Sequence, residues 1–125
     1  MLNLTLKQLA VELAAKRLSS VELTRYFLNR INTLGKSLNA FISVDVERSE
    51  AGARTADERL AAGTGGPLTG IPLAHKDIFC ARGWLTTCGS RMLSNFVAPY
   101  DAHGIERFNA AGAVIAGKTN MDELA

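Results

Sequence analysis

A chain of 125 residues with 47% hydrophobic and 21% charged residues has the make-up of one globular domain or part of one. Its net charge of +2 is spread without a basic block, which argues against a direct electrostatic grip on nucleic acid. No apolar run approaches the ~18 residues of a membrane span, and residues 1–7 lack the basic segment and apolar core of a secretory signal.

Thr5 with Gln8 forms a capping box, and Leu6, Leu9, Ala10, Leu13 and Ala14 share a face of a helix predicted to end near Arg17. Ser19 with Glu22 repeats the box. Leu23, Phe27, Arg30, Ile31 and Leu34 follow at helical spacing, with Gly35 as the expected stop. The chain therefore opens with a helical hairpin. Phe41-Ile42-Ser43-Val44 reads as a short strand. Asp45 caps a third helix through about Ala62, which Gly63 stops. A breaker-rich loop, residues 64–70, leads into the strand Ile71-Pro72-Leu73-Ala74-His75-Lys76. Residues 79–100 show no clear period and read as an ordered, functional loop with one helical turn near Ser90 to Leu93. Asp101 is the expected cap of a fourth helix, with Ile105, Phe108 and Ala111 inward and Gly112 as its end. Ala113-Val114-Ile115-Ala116 then reads as a buried strand, and Thr119-Asn120-Met121-Asp122 as the start of another turn.

Strands separated by helices predict an α/β layered fold with parallel neighbours. Three strands do not complete such a sheet, and the last pattern halts at Glu123-Leu124-Ala125 without a cap. Both features lead to the expectation that this is the N-terminal portion of a longer chain.

Several chemistries compete for these residues. Gly112-Ala113-Val114-Ile115-Ala116-Gly117-Lys118-Thr119 satisfies the P-loop pattern in full. Its context is wrong: a helix precedes it, and Val-Ile between alanines favours a strand over an amide-lined phosphate nest. Cys88 with His75 or His103 would make a thiol–imidazole pair, but no local signature supports it. His75, Asp77, Cys80 and Cys88 match no established metal spacing. Cys80 and Cys88 read instead as small buried side chains, reduced in a cytoplasmic protein. Lys76 is the most informative residue. It ends a mostly apolar strand, with Pro72 and Ala74 on its face, and burial there would lower its pKa and suit it to act as a general base. A base needs a hydroxyl to deprotonate, and the nearby Ser90 and Ser94 lack the sharp Gly-flanked turn that presents a nucleophile.

The run Gly66-Pro67-Leu68-Thr69-Gly70-Ile71-Pro72-Leu73-Ala74-His75-Lys76-Asp77-Ile78-Phe79-Cys80 closely resembles the amidase signature family. So do Thr86-Thr87-Cys88-Gly89-Ser90-Arg91-Met92-Leu93, Tyr100-Asp101-Ala102 and Gly117-Lys118-Thr119-Asn120-Met121-Asp122-Glu123. Together with Ser19-Ser20-Val21-Glu22-Leu23-Thr24, these runs are most similar to the branch that works in tRNA-dependent amidotransferases.

That resemblance implies an α/β/α layered fold with a mixed sheet, of which residues 1–125 are the N-terminal portion of a single amidase domain. It implies a relay in which one serine attacks an amide carbonyl and a second, in a cis peptide, passes its proton to a lysine. Lys76 matches that lysine. Both serines are expected in a Gly/Ser-rich region beyond Ala125, which would leave these residues inactive alone. Asp77 is expected to anchor backbone rather than to join the relay. The resemblance further implies a glutamine amidohydrolase that passes ammonia to companion B and C subunits. There ATP and Mg would activate the glutamate or aspartate carried on a mischarged tRNA, and no cofactor would bind this chain. The expected location is the cytoplasm or an organellar matrix. A small-amide amidase and a non-catalytic fragment are the alternatives. Gly104 and Leu124 depart from the family pattern, and Gly104 is expected to weaken its helix.

Overall fold

The computed structural model describes residue 1 and residues 3–125. The elements are α1 (Leu6–Ala14), α2 (Ser20–Leu38), β1 (Phe41–Ser43), α3 (Val46–Ala61), β2 (Pro72–Lys76), α4 (His103–Ala110) and β3 (Val114–Thr119). A single 3-10 turn, Arg91–Leu93, lies in the long segment between β2 and α4.

Both opening capping boxes form, with Thr5 paired to Gln8 and Ser19 to Glu22. They satisfy helix N–H groups that otherwise have no partner. Asp57 of α3 adds a long-range cap, accepting from the backbone N–H groups of Ser20 at 2.7 Å and Val21 at 3.1 Å. Two helix ends differ from expectation. α1 stops at Ala14 rather than near Arg17, because Lys16 turns left-handed and Arg17 pairs back to Glu12. α2 passes through Gly35 and ends at Asn39, whose φ of 49° supplies the left-handed cap. Asparagine tolerates that conformation, so the glycine is not needed there.

The sheet is mixed, in the order β1-β3-β2, with β2 parallel and β1 antiparallel to β3. Parallel neighbours are the expectation from the element order, and β1 reverses it at one edge. Leu73 pairs with Ile115, yet Ala74 pairs with Gly117, so Ala116 is an extra residue in β3. Such a bulge turns the following side chains to the other side of the strand. Val114 packs on Ala53 and Ala56 of α3, whereas Ile115 packs toward Ala81, Trp84 and Ile105. The helical hairpin closes over Ile71 through Leu9, Leu13 and Leu23. Helices therefore cover both faces, which gives the expected α/β/α layering.

α4 also departs from the reading of its cap. Ala102 occupies the cap position without a side-chain hydrogen bond. Asp101 is drawn away, accepting from Arg82 N–H at 2.6 Å and from the Asn109 amide at 3.4 Å. No helix among the described residues is long and apolar enough to cross a membrane.

Candidate active site

Lys76 is the last residue of β2, held in register with Thr119 of β3. Alternation along β2 is as expected: His75 is buried, Ala74 and Lys76 are not. The burial of Lys76 is not. Its side chain is 47% exposed; Pro72 and Ala74, on the same face of β2, line an open apolar groove of about 250 Å³ against Phe27 and Ile31 of α2. Its nearest carboxylate, Asp122 Oδ1, lies 4.0 Å away and is itself largely exposed, so the pair contributes little.

The charge that is buried lies one strand away. Lys118 Nζ is fully enclosed and donates to Asp77 Oδ1 at 3.1 Å and to Thr86 Oγ1 at 3.0 Å. The other oxygen, Asp77 Oδ2, accepts from Thr87 N–H at 2.9 Å and from Thr87 Oγ1 at 2.5 Å. Asp77 N–H donates to the Thr119 carbonyl, and its own carbonyl accepts from Cys88 N–H, both at 3.1 Å. Every polar atom of Asp77 is thus engaged, and the expected anchoring role is what the geometry displays. His75 pairs with Lys118 across the ladder, and its ring centroid lies 5.4 Å from that of Phe108. Burial, and then the Lys118 charge, holds the His75 imidazole below the ordinary histidine range.

The segment after the network is fixed by backbone geometry. Cys88 and Gly89 both have positive φ, 52° and 67°. A Cβ on Gly89 would sit 2.9 Å from the Met121 carbonyl, so only glycine permits this close approach. Ser90 Oγ donates to Glu123 Oε1 at 2.9 Å and accepts from Met92 N–H. It is a tether, and Ser94 is the C-terminal cap of the 3-10 turn. Neither makes a hydrogen bond with Lys76. Cys80 and Cys88 are half-buried free thiols rather than fully buried ones, and no hydrogen bond joins Cys88 to His75 or His103 among the described residues. His103 instead lies 3.5 Å from Glu106.

The P-loop pattern fails in space as it does in context. Gly112 ends α4 with a φ of 80°, and Gly117 and Lys118 lie inside β3. Sequence reasoning meets Lys118 in that decoy and in the last run of the family resemblance, and assigns it no role. The available signal is a lysine within a six-residue strand, which demands a carboxylate partner if the strand is central.

A family profile described as Amidase matches residues 22–125. The chain is 66% identical, over all of its length, to a Methylobacillus flagellatus protein named as the A component of glutamyl-tRNA(Gln) amidotransferase, and 62% identical to the protein of the same name in Nitrosomonas europaea. It covers 26% of each, about a quarter of the length of these curated relatives. Among solved structures, it superposes on native peptide amidase from Stenotrophomonas maltophilia with a TM-score of 0.92 and 35% identity. That match covers 98% of this chain and 26% of the other.

Proposed function

Because the chain belongs to the Amidase family, we propose that it carries the lysine general base of a glutamine amidohydrolase serving a tRNA-dependent amidotransferase. The observation that carries this reading is Lys76. Its side chain reaches solvent from the C-terminal end of a parallel strand, while the next residue, Asp77, is hydrogen-bonded at every polar atom. Ligands of α/β sheets gather at that end of the strands. The 62–66% identity to relatives named for glutamyl-tRNA(Gln) amidotransferase supports the substrate.

In this reading the uncharged Lys76 amine takes a proton that originates on a nucleophilic serine and arrives through a second serine, both beyond Ala125. The nucleophile attacks the glutamine side-chain carbonyl, and the proton returns to the departing ammonia. Glutamate is then freed by water. Ammonia passes to B and C subunits, where ATP and Mg activate the carboxylate of the mischarged tRNA. The protein acts in the cytoplasm. Lys76→Ala in the complete protein should lower ammonia release from glutamine by about 10²–10⁴-fold with the fold intact. Turnover at the wild-type rate would refute the assignment. The 35% identity to peptide amidase favours one second reading, hydrolysis of another small amide without a tRNA partner. A kcat/KM for a peptide C-terminal amide above that for glutamine would select it.

A further inference from the structure

We propose that Lys118 and Asp77 are positioning residues for Lys76, a role that rests on reading Lys76 as the base. A buried ion pair is a poor device for stability alone, since well-packed apolar side chains of similar size serve equally well. What an apolar pair cannot do is accept hydrogen bonds from two different segments at once. The Asp77 carboxylate does so, taking Lys118 Nζ of β3 on one oxygen and both donors of Thr87 on the other. Lys118 extends the network to Thr86 Oγ1, which donates to the Trp84 carbonyl at 3.4 Å.

The backbone closes the clamp. Asp77 N–H is held by Thr119, the residue that faces Lys76 across the ladder, and the Asp77 carbonyl is held by Cys88 N–H. Phe79 N–H bonds the Lys76 carbonyl at 3.1 Å, tightening the turn that follows. The peptide C-terminal to Lys76 is thereby fixed on all sides while the side chain stays free to reach a hydroxyl. A base on a long flexible stem needs such a rigid root, because a misplacement of about 1 Å can cost about a hundredfold in rate.

The test compares Asp77→Leu/Lys118→Met, which removes both charges together, with Thr87→Val, which removes one hydroxyl donor and leaves the charges paired. Two readouts are taken on the complete protein. Amide hydrogen exchange at positions 77 and 88 should accelerate at least tenfold more than at α2 amides such as Leu28 in the double variant. The kcat for glutamine hydrolysis should fall at least tenfold with KM within about threefold, and Thr87→Val should shift both readouts in the same direction by a smaller factor. A folded double variant with wild-type exchange at Asp77 and Cys88, or with wild-type kcat, overturns the inference. Should the double variant not fold, Thr87→Val decides on the same readouts. If the unaltered protein releases no ammonia from glutamine, the functional reading fails, and exchange alone decides whether the pair holds the backbone around Lys76.

Discussion

Removing either member of the Lys118–Asp77 pair should be more damaging than removing both. Each side chain is fully buried, and truncating one partner of such a pair costs about 3–5 kcal/mol. Lys118→Met falls at the low end, ~3 kcal/mol, because Asp77 Oδ2 keeps both Thr87 donors. Asp77→Leu falls at the high end, ~5 kcal/mol, because the ammonium keeps only Thr86 Oγ1. In the double variant no charge is stranded. The remaining cost is about 2 kcal/mol, from the Thr87 N–H left without an acceptor. The coupling across the cycle is therefore about 6 kcal/mol. Urea unfolding followed by the fluorescence of Trp84 reads this directly. It is the only tryptophan among residues 1–125, it is buried, and its carbonyl belongs to the same network. With a urea slope of about 1–3 kcal/mol/M, Lys118→Met should lower the midpoint by about 1–3 M. A double variant whose loss equals the two single losses added together would refute the reasoning.

Three further measurements follow. The native His75 resists protonation, whereas the unfolded chain takes up a proton below about pH 6.5. Stability should therefore fall as pH drops from about 6.5 toward the lowered native value, by at most about 1.4 kcal/mol per pH unit, and hold level above about pH 6.5. His75→Gln should flatten that slope, and identical urea midpoints for both proteins at pH 7.5 and 5.5 would count against it. Two glycines should respond with opposite signs in thermal melts. Gly117→Ala pushes a Cβ to 2.8 Å from Phe41 and 3.0 Å from the Ser43 carbonyl, and should destabilise by about 1–3 kcal/mol. Gly104→Ala meets open space in α4 and should stabilise by about 0.5–1 kcal/mol. Asp57→Ala leaves the Ser20 and Val21 N–H groups without their acceptor and should cost about 1–2 kcal/mol by urea titration. An unchanged midpoint would place the capping of α2 with Ser19 alone.

The elements legible in the chain are those written in local chemistry. Thr5–Gln8, Ser19–Glu22 and Asp45 announce helix starts because each bond spans three residues. Val114 and Ile115 announce a strand through their branching. Asp77 is legible as an anchor because it follows Lys76 in the resemblance run, away from the relay. The errors lie where distant groups compete. Asp101 reads as a cap until Arg82, nineteen residues away, claims its oxygen. Lys76 reads as buried because its neighbours Pro72 and Ala74 are apolar, yet that face opens on a groove beside α2. Lys118 is hidden twice, by a pattern that suggests phosphate and by a register slip whose one local sign, Gly117 inside the strand, is absorbed into that same pattern.

That slip at Ala116 amounts to a change of parity. Before it, an even-numbered residue of β3, Val114, faces α3, and an odd-numbered one, Ile115, faces the Trp84 side. After it, the even-numbered Lys118 stands beside His75 and reaches Asp77. One strand thus serves an apolar layer with its first half and a polar lock with its second, and Gly117, a glycine inside the strand, is the residue type that marks the switch. The lock depends on the count of residues between Ile115 and Lys118 as well as on the glycine at position 117. A change of length at that point would exchange the faces of everything after it, leaving Asp77 without its cation even though no residue of the network had been altered.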